Sequence, residues 1–347
     1  MNAVLIIDKP AGMTSHDVVN RVRRILNQRS VGHLGTLDPM ATGVLPIVIG
    51  NFTRLAQFYV SSEKTYEGTV RFGFCTDTYD AEGEPTTDPK DVSLSTDELE
   101  SAVAKFRGLI EQEPPPFSAK KIKGVPAYKL ARKQKEVHIN PVQVEIKQLE
   151  VLGVDVDRMR FRARVSSGTY MRSVANDLGK ALGCGAHLEI LRRTAAAEFT
   201  IAESHTLGEL SEAAGKSDIE RKVEETSRGA AKECSPRRKP WVTGEFEEAP
   251  EGRKNGTSIA AVSEASFVSP QPLLELFVHP RKLLPQMPCV TADEATAARI
   301  RAGRTVNLPD VSRSRQVKVF AGQRDLIAVA TRIAGTLFHA RIVLTGT

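Results

Sequence analysis

Residues 29–50, RSVGHLGTLDPMATGVLPIVIG, join a glycine-rich loop to a continuous apolar run. The apolar run, Val44 to Ile49, predicts a buried strand, and the glycines and the Asp38-Pro39 pair before it predict a tight, irregular loop. Asp38 is expected at the exposed bend of this loop. Taken alone, an Asp before Pro in such a loop most often bonds its own backbone in an Asx turn. A catalytic carboxylate is the alternative.

The segments around this loop alternate irregularly between strands and helices. Val4 to Ile7 predicts a short buried strand, and apolar residues at helical spacing follow a capping box of Thr14 and Asp17. Residues 159–165 alternate apolar side chains with arginines, which predicts a strand with one buried face. A helix with a stop signal at Gly183 comes next. Because no regular strand–helix repeat is present, the pattern favours an α+β fold.

The chain length and the composition of the second half predict a smaller additional domain. Residues 215–269 are rich in Glu, Lys, Ser, Gly and Pro without an apolar face, which predicts a disordered insertion. After Leu283, Thr291 and Glu294 are expected to cap a helix reaching Ala302, and three strand-like runs follow. We therefore predict a catalytic domain at 1–214, a return to the core and linker at 270–283, and a small, mostly β domain at 284–347.

Positive charge is concentrated at the C-terminal end of the chain. The net charge is +6, while Arg281 to Thr347 hold 11 Lys or Arg against four Asp or Glu, a local excess of +7. A localised basic surface is typical of a nucleic-acid partner, although a membrane surface or a solvated face would also fit.

Several other classes of protein receive no support from the sequence. No apolar run approaches the ~18 residues of a membrane span and no signal peptide is evident, so we expect a cytoplasmic protein. The four cysteines are scattered, and neither a phosphate-binding glycine motif nor HExxH is present. The acidic run from Thr76 to Glu84 does not place carboxylates at the first and last positions of a calcium loop. We expect neither a metal nor a cofactor.

The block around Asp38 resembles, almost letter for letter, the catalytic motif of the bacterial tRNA pseudouridine-55 synthases, the TruB family. The basic C-terminal region resembles the family more weakly, and the resemblance covers most of residues 4–206 and roughly 273–345. It implies a pseudouridine synthase core with a central mixed, mainly antiparallel sheet and flanking helices, followed by a small PUA-like β-barrel. Four further segments carry the resemblance in order: LIIDKPAGMTSHDVVNRVRRIL, KTYEGTVRFGFCTDTYDAEG, PPPFSAKKIKGVPAYKLAR and SSGTYMRSVANDLGKALGCGAHLEILRRT.

The resemblance implies that the protein isomerises uridine 55 in the T-arm of tRNA to pseudouridine. Asp38 would start cleavage of the N-glycosidic bond, either by direct attack on the ribose or by a glycal route, before carbon 5 rejoins the sugar. Arg172 would keep Asp38 ionised and oriented, because a guanidinium stays charged and can hold a carboxylate bidentately. Without the resemblance, Arg172 would more often be a solvated helix charge.

The remaining site residues are also implied by the resemblance. Flipping a uridine out of an RNA loop costs ~a few kcal/mol, and stacking on an aromatic ring returns ~1–3 kcal/mol. Tyr66 would stack on the base, and Tyr170 would line the pocket and relay the carbon-5 proton. Leu191 would line the pocket and His33 would fill the space vacated by the base. Arg54, where the family often has lysine, would contact a phosphate.

A basic segment at about 114–137 is expected to act as an RNA clamp. Ser118 to Lys135 hold six Lys and one Arg with no acid, although a plain solvated loop would look the same. Gln134 stands where the family commonly has glycine. We expect tRNA as the partner of a monomer that needs no guide RNA or obligate protein partner. A guide-dependent enzyme, a tRNA folding chaperone and a non-specific basic scaffold are the alternatives.

Overall fold

The computed structural model describes residues 1–118, 120–122, 125–126, 139–215, 273–309 and 314–344, which form two main sheets with helices and a two-stranded ribbon. The α-helices are α1 (Ser15–Leu26), α2 (Ala56–Tyr59), α3 (Thr96–Ala104), α4 (Met171–Ala181), α5 (Leu207–Ala213) and α6 (Glu294–Arg301). The strands are β1 (Ala3–Lys9), β2 (Val31–His33), β3 (Thr42–Ile49), β4 (Lys64–Phe72), β5 (Gly108–Gln112), β6 (Lys121–Ile122), β7 (Val125–Pro126), β8 (Val142–Asp155), β9 (Arg158–Val165), β10 (Ala186–Ala196), β11 (Phe199–Thr200), β12 (Cys289–Ala292), β13 (Val306–Asn307), β14 (Gln316–Ala321), β15 (Asp325–Ala334) and β16 (Leu337–Val343).

The larger sheet has nine strands in the order β1-β3-β10-β4-β9-β8-β5, with β2 paired to β3 and β11 to β10. Every strand pair in it is antiparallel except β3 with β10, which is parallel. Helices α1, α3, α4 and α5 contribute side chains to the core on one face. The predicted α+β fold with a mixed, mainly antiparallel sheet is therefore confirmed.

Strand β1 is buried on both faces, which explains its unbroken apolar sequence. Leu5 and Ile7 face the core that the helices cover, whereas Val4 and Ile6 face a second core. That second core also contains Phe320 of β14 and other side chains from the C-terminal part of the chain. Strand β3 is covered in the same way. The loop that holds Asp38 thus leads into a strand that is buried on both faces.

The strand and helix signals on either side of residue 170 are both present. In β9 the apolar residues are buried and Arg160, Arg162 and Arg164 are exposed, as the alternation predicted. Helix α4 ends with Leu182 as its C-cap, and Gly183 follows with φ of 72°, a backbone conformation that glycine accepts readily. At the other end of the chain, the predicted capping box of Thr14 and Asp17 begins α1.

The second sheet has five strands in the order β12-β14-β15-β16-β13, with α6 packed against it. The three predicted strand-like runs form β14, β15 and β16. The predicted cap of the helix was wrong, because Thr291 lies in β12 opposite Phe320, and the carboxylate of Asp293 accepts from the Thr296 N–H at 2.7 Å instead. Asp293 is a strong N-cap because its acceptor is an ionised carboxylate. The helix α6 that it caps ends at Arg301.

A polar junction ties α2 and the turn between β10 and β11 to the segment that leads into the second sheet. The Tyr59 hydroxyl donates to Glu198 Oε1 at 2.6 Å, and the backbone N–H of Leu284 donates to the same oxygen at 2.8 Å. Burial and the Glu198 charge raise the pKa of Tyr59 well above its usual value, so the hydroxyl keeps its proton. Phe277 forms a bridge with Leu5 at the edge of the larger sheet.

Two predicted features fall largely or wholly outside the described residues. These are the insertion at 215–269, of which only residue 215 is described, and most of the clamp segment. Among the helices that the structure does describe, none is long and apolar enough to cross a lipid bilayer.

Candidate active site

Asp38 lies on the loop between β2 and β3, and neighbouring elements fix this loop on both sides of it. The Ser15 hydroxyl accepts a hydrogen bond from the Leu37 N–H at 2.8 Å and donates to the Leu37 carbonyl at 3.1 Å. On the other side, the Lys9 ammonium donates to the Pro39 carbonyl at 3.1 Å. The Asp38 carbonyl accepts from Ala41 N–H in a turn. Asp38 is therefore held between anchored residues.

Lys9 is a buried cation that serves this loop. Its side chain is fully buried, and its ammonium donates to the carbonyls of Pro10 at 2.8 Å and Met13 at 2.6 Å as well as to that of Pro39. Burial lowers the pKa of Lys9 to about 8, while the Asp38 charge acts in the opposite direction. No role was predicted for this residue from the sequence.

Two glycines set the path of the loop. Gly35 has φ of 143°, in the region that other residues rarely adopt. At Gly43 a Cβ would stand 2.2 Å from the Arg193 carbonyl oxygen, so a side chain there would separate β3 from β10. The parallel pairing of these two strands, which joins Gly43 to Arg193, depends on this close approach.

Asp38 and Asp80 both pair with Arg172, and these three residues form what we call the ion-pair cluster. Arg172 Nη2 donates to Asp38 Oδ1 at 3.1 Å, and Arg172 Nε lies 2.9 Å from Oδ2. Arg172 Nη1 lies 3.4 Å from Asp80 Oδ2. The predicted pairing of Arg172 with Asp38 is present, and the Asp38 side chain bonds this arginine rather than its own backbone. Arg172 is buried, so a solvated helix charge does not describe it.

Asp80 was missed by the sequence analysis. It lies in the acidic run whose spacing was compared with a calcium loop, in a segment that also carries the family resemblance, and its side chain is buried. Its Oδ1 accepts from the Thr78 hydroxyl at 2.6 Å and from the Glu82 N–H at 3.1 Å. The same loop supplies the Thr78 carbonyl, which accepts from Arg172 Nη1 at 3.1 Å. The acidic run thus folds around the guanidinium.

The pKa of Asp38 is raised above its ordinary value. Burial is the main cause, because desolvation disfavours the charged carboxylate. The Arg172 charge lowers the pKa, but the neighbouring Asp80 carboxylate raises it again. Arg172 was expected to keep Asp38 ionised, and in the free protein it offsets the cost of burial only in part. The Asp38 side chain remains 36% exposed, on the side that faces the pocket.

The start of α4, which places Arg172, is fixed by the end of β5. The side chain of Gln112 is buried and makes two hydrogen bonds to the Tyr170 backbone, accepting from the N–H at 2.8 Å and donating to the carbonyl at 3.1 Å. The Ser173 hydroxyl donates to the Glu113 carbonyl at 2.8 Å. The Arg172 side chain is therefore fixed at both ends. Hydrogen bonds hold the backbone at the start of α4, and the ion pairs with Asp38 and Asp80 hold the guanidinium.

The ion-pair cluster opens into a pocket with a volume of about 270 Å³. Asp38, Tyr66, Tyr170, Arg172 and Leu191 all line it, so the structure brings together five of the seven predicted site residues. Tyr66 and Leu191 are buried and come from the adjacent strands β4 and β10. Burial and the nearby Asp38 charge raise the pKa of Tyr170, so its hydroxyl is protonated. The pocket offers apolar and aromatic surface beside one carboxylate.

Two further cations, Lys64 and Arg193, line the pocket and form what we call the basic wall. Arg193 is fully buried and donates to carbonyls of the loop and of β3, namely Gly35 at 3.0 Å, Thr36 at 3.3 Å and Val44 at 2.7 Å. Lys64 is half-buried, and its ammonium donates to the Ser62 carbonyl at 2.6 Å. Neither residue was predicted from the sequence.

His33 and Arg54 do not line the pocket. His33 ends β2 and is half-buried, and its Nδ1 accepts from the Gly35 N–H at 3.3 Å. Burial, Arg193 and His16 lower the pKa of His33, so the ring is neutral. Arg54 lies in a 3₁₀ helix and is exposed, and its Nη1 donates to the Val343 carbonyl of β16 at 3.0 Å.

The described residues offer no arrangement for a metal. No group of three or more His, Cys, Asp or Glu side chains in this part of the chain is placed to hold an ion.

Two family models match adjoining parts of the chain. Residues 23–171 match the N-terminal domain of the TruB family of pseudouridylate synthases. Residues 172–226 match the C-terminal domain described for tRNA pseudouridylate synthase B. The two matches meet at α4, between Met171 and Arg172.

The chain is also similar to whole proteins. It is 43% identical over 347 residues to tRNA pseudouridine synthase B of Solibacter usitatus, covering 99% of this chain and 100% of that one. It is 47% identical over 211 residues to the protein of the same name from Aquifex aeolicus, covering 60% and 73% of the two chains. Among solved structures, an archaeal box H/ACA sRNP Nop10–Cbf5 complex contains a chain with a TM-score of 0.60 and 21% identity, covering 99% and 86%. This last likeness shows the shared fold.

Proposed function

The chain belongs to the TruB family of pseudouridylate synthases, and on this basis we propose that it converts uridine 55 in the T-arm of tRNA to pseudouridine. The observation that carries the proposal is the ion-pair cluster, in which a buried guanidinium holds the Asp38 carboxylate at the wall of a pocket lined by Tyr66 and Tyr170. The tRNA pseudouridine synthase B proteins to which the chain is similar support tRNA as the substrate.

The reaction is an isomerisation and needs no second substrate. The bond between N1 of uracil and C1′ of ribose breaks, the base turns, and a bond forms between C5 and C1′. A proton leaves C5, and N1 gains a proton. Asp38 would begin this sequence, either by attack on C1′ or by removing the C2′ proton in a glycal route. Both routes require an ionised carboxylate in a fixed position.

Arg172 would provide that position and part of the required charge state. Its guanidinium contacts both oxygens of Asp38, so the carboxylate cannot rotate freely. Because Asp80 raises the Asp38 pKa and also holds Arg172, the ion-pair cluster combines orientation with a carboxylate more basic than usual. A more basic carboxylate is the better proton acceptor.

Tyr66, Tyr170 and Leu191 would receive the base. Stacking on an aromatic ring is worth ~1–3 kcal/mol and offsets the cost of flipping the uridine out of its loop. The hydroxyl of Tyr170 is protonated, and the Asp38 charge contributes to its raised pKa, which suits a relay of the C5 proton. Neutral His33 would act as a wedge in the RNA rather than as a proton carrier.

The rest of the chain would bind the body of the tRNA. We propose that residues 1–214 form the catalytic unit, that residues 284–347 add an RNA-binding surface, and that the segment at about 114–137 serves as a clamp. Arg54 would contact a phosphate, since it is exposed and uses one of its N–H groups on Val343. A monomer of this kind would need neither guide RNA nor protein partner.

The test is to incubate the purified full-length protein with an unmodified tRNA transcript and map pseudouridine by carbodiimide labelling. We expect a single new site at position 55 without any added RNA or protein. Product at another position would contradict the assigned nucleotide. A requirement for added guide RNA would contradict the stand-alone enzyme.

A further inference from the structure

The two residues of the basic wall take no part in the reaction steps of the proposed isomerisation. The isomerisation needs one carboxylate, its arginine and a surface for the base, and all of these lie in the ion-pair cluster and the tyrosines. Lys64 and Arg193 nevertheless line the same pocket. Two cations at a pocket wall are costly to desolvate unless an anion compensates them.

Neither cation has a carboxylate partner among the residues that the structure describes. Every ion pair found there involves other basic side chains. The two cations also act on each other, since Arg193 contributes to lowering the pKa of Lys64 to about 8, after burial as the main cause. The wall therefore carries uncompensated positive charge.

The two residues differ in what they can still bind. Arg193 uses its guanidinium on three loop and strand carbonyls and is only 1% exposed. The Lys64 ammonium has three N–H donors, and the Ser62 carbonyl is its only partner in the described part of the chain. Lys64 is thus the member of the wall that can reach a ligand, and Arg193 is the fixed charge behind it.

The strand register places Lys64 beside the expected position of the base. Lys64 and Tyr66 are two residues apart on β4, so they share one face of the sheet, and Tyr66 pairs directly with Arg193 on β10. Gly35 completes this corner, because a Cβ on it would stand 3.8 Å from Lys64 Cε and 3.5 Å from Arg193 Nη1. An RNA strand whose base lies against Tyr66 brings its backbone close to this corner.

We infer that Lys64 binds a backbone phosphate of the RNA next to the flipped uridine, with Arg193 fixing the loop beneath it. The inference rests on the proposed function, since phosphates are the anions that an RNA substrate brings to the pocket. Lys64 is then a substrate-binding residue that holds the target nucleotide in register with Asp38. In the complex with RNA, this phosphate supplies the negative charge that no carboxylate of the described residues supplies to Lys64 and Arg193.

The test is to measure KM and kcat with an unmodified tRNA transcript at several salt concentrations. For Lys64→Gln we expect KM to rise roughly tenfold with kcat within about threefold, as for one lost phosphate contact. The salt dependence of log kcat/KM should become shallower by about one counterion. Lys64→Arg should restore KM, and Lys105→Gln, on an exposed lysine at the end of α3, should change nothing.

A pH series separates phosphate binding from a structural role. The ammonium of Lys64 is charged below its pKa of about 8, so wild-type kcat/KM should fall as pH rises through that value. The guanidinium of Lys64→Arg stays charged and should remove this decline. Arg193 on β10, Asp38 on the loop, Tyr66 on β4, and Tyr170 and Arg172 at the start of α4 are the other titratable or charged groups that line the pocket, and they are the same in both proteins.

Unchanged KM and salt dependence in Lys64→Gln, with an active wild type, would overturn this inference alone. A variant that is thermally destabilised and is not rescued by arginine would also overturn it, because that result indicates packing. A wild-type protein that forms no pseudouridine in tRNA would overturn the proposed function and this inference together.

Discussion

The ion-pair cluster and the basic wall line one pocket, and they hold their buried arginines in opposite ways. Arg172 lies between two carboxylates, Asp38 and Asp80, so the cluster carries a formal charge of −1. Among the described residues Arg193 is paired with carbonyls alone and adjoins Lys64, so the basic wall carries +2. The difference indicates that the ion-pair cluster contains its own counter-charges for chemistry on a neutral base, whereas the basic wall needs an anion from outside.

Removing Arg172 should disturb the ion-pair cluster most severely. In Arg172→Met the two carboxylates remain side by side without a cation, so the pKa of Asp38 should rise further and its orientation should be lost. We expect the single-turnover rate near pH 7 to fall by about 10²–10³, the effect typical of losing one fixed electrostatic contact. The rate should recover in part at higher pH, where Asp38 ionises again.

The control for this variant is Arg162→Met. Arg162 is an exposed arginine of β9 that pairs with Glu67, and its replacement should leave the rate within about twofold. A rate of Arg172→Met that stays low at every pH would indicate that lost geometry alone explains the defect.

Removing Arg193 should show its effect in folding stability. Arg193→Met leaves three carbonyl acceptors in the loop and β3 without their buried donor, which should lower the free energy of unfolding by roughly 3 kcal/mol. Arg192→Met is a matched control one residue away, because Arg192 is 40% exposed and pairs with Asp8, and it should cost under about 1 kcal/mol. Denaturant unfolding of both variants measures the difference. Equal losses would mean that Arg193 does not anchor the loop.

A smaller effect, with a defined sign, is expected at Asp80. The Asp80 charge raises the pKa of Asp38, so Asp80→Asn should lower that pKa and move the acid limb of the pH–rate profile to lower pH. The loosened Arg172 should still reduce the maximal rate, by roughly tenfold, or about 1.4 kcal/mol. Single-turnover rates between pH 4 and pH 8 provide the profile. An acid limb that moves to higher pH would refute the assigned coupling.

The two walls also differ in how far the sequence predicted them. Asp38, Arg172, Tyr66, Tyr170 and Leu191 were identified through their resemblance to a family motif, and the structure places all five around one pocket. Because these residues are spread from position 38 to position 191, their spacing along the chain cannot predict that they lie close together. The pairing of β3, β10 and β4 brings these segments together.

The residues that were missed show what local patterns leave out. Asp80 was judged against the spacing of a calcium loop, yet its partner is an arginine 92 positions away on α4. A usable signal did exist for the basic wall, since Lys64 and Arg193 each lie two positions from a predicted pocket residue, Tyr66 and Leu191, on the same strand. Strand periodicity places such neighbours on one face.

The fold was predicted where apolar patterning and capping residues act locally. Strand β9 and helix α1 follow directly from their sequences. The cap of α6 was misassigned because Thr291 and Asp293 are both good capping residues, and only the pairing of β12 with β14 decides between them.

The catalytic role of Asp38 can be tested by comparing the wild type with Asp38→Asn, which removes the charge and nearly preserves the volume. We predict that the variant forms no measurable pseudouridine in a single-turnover assay, while its affinity for the tRNA transcript stays within about threefold. Folding should not suffer, because ionised Asp38 has a raised pKa and its charge reduces stability near neutral pH. Retained binding also allows the variant to be assayed for tRNA folding activity. Pseudouridine formation by Asp38→Asn at a rate near that of the wild type would contradict the assignment of Asp38 as the catalytic carboxylate.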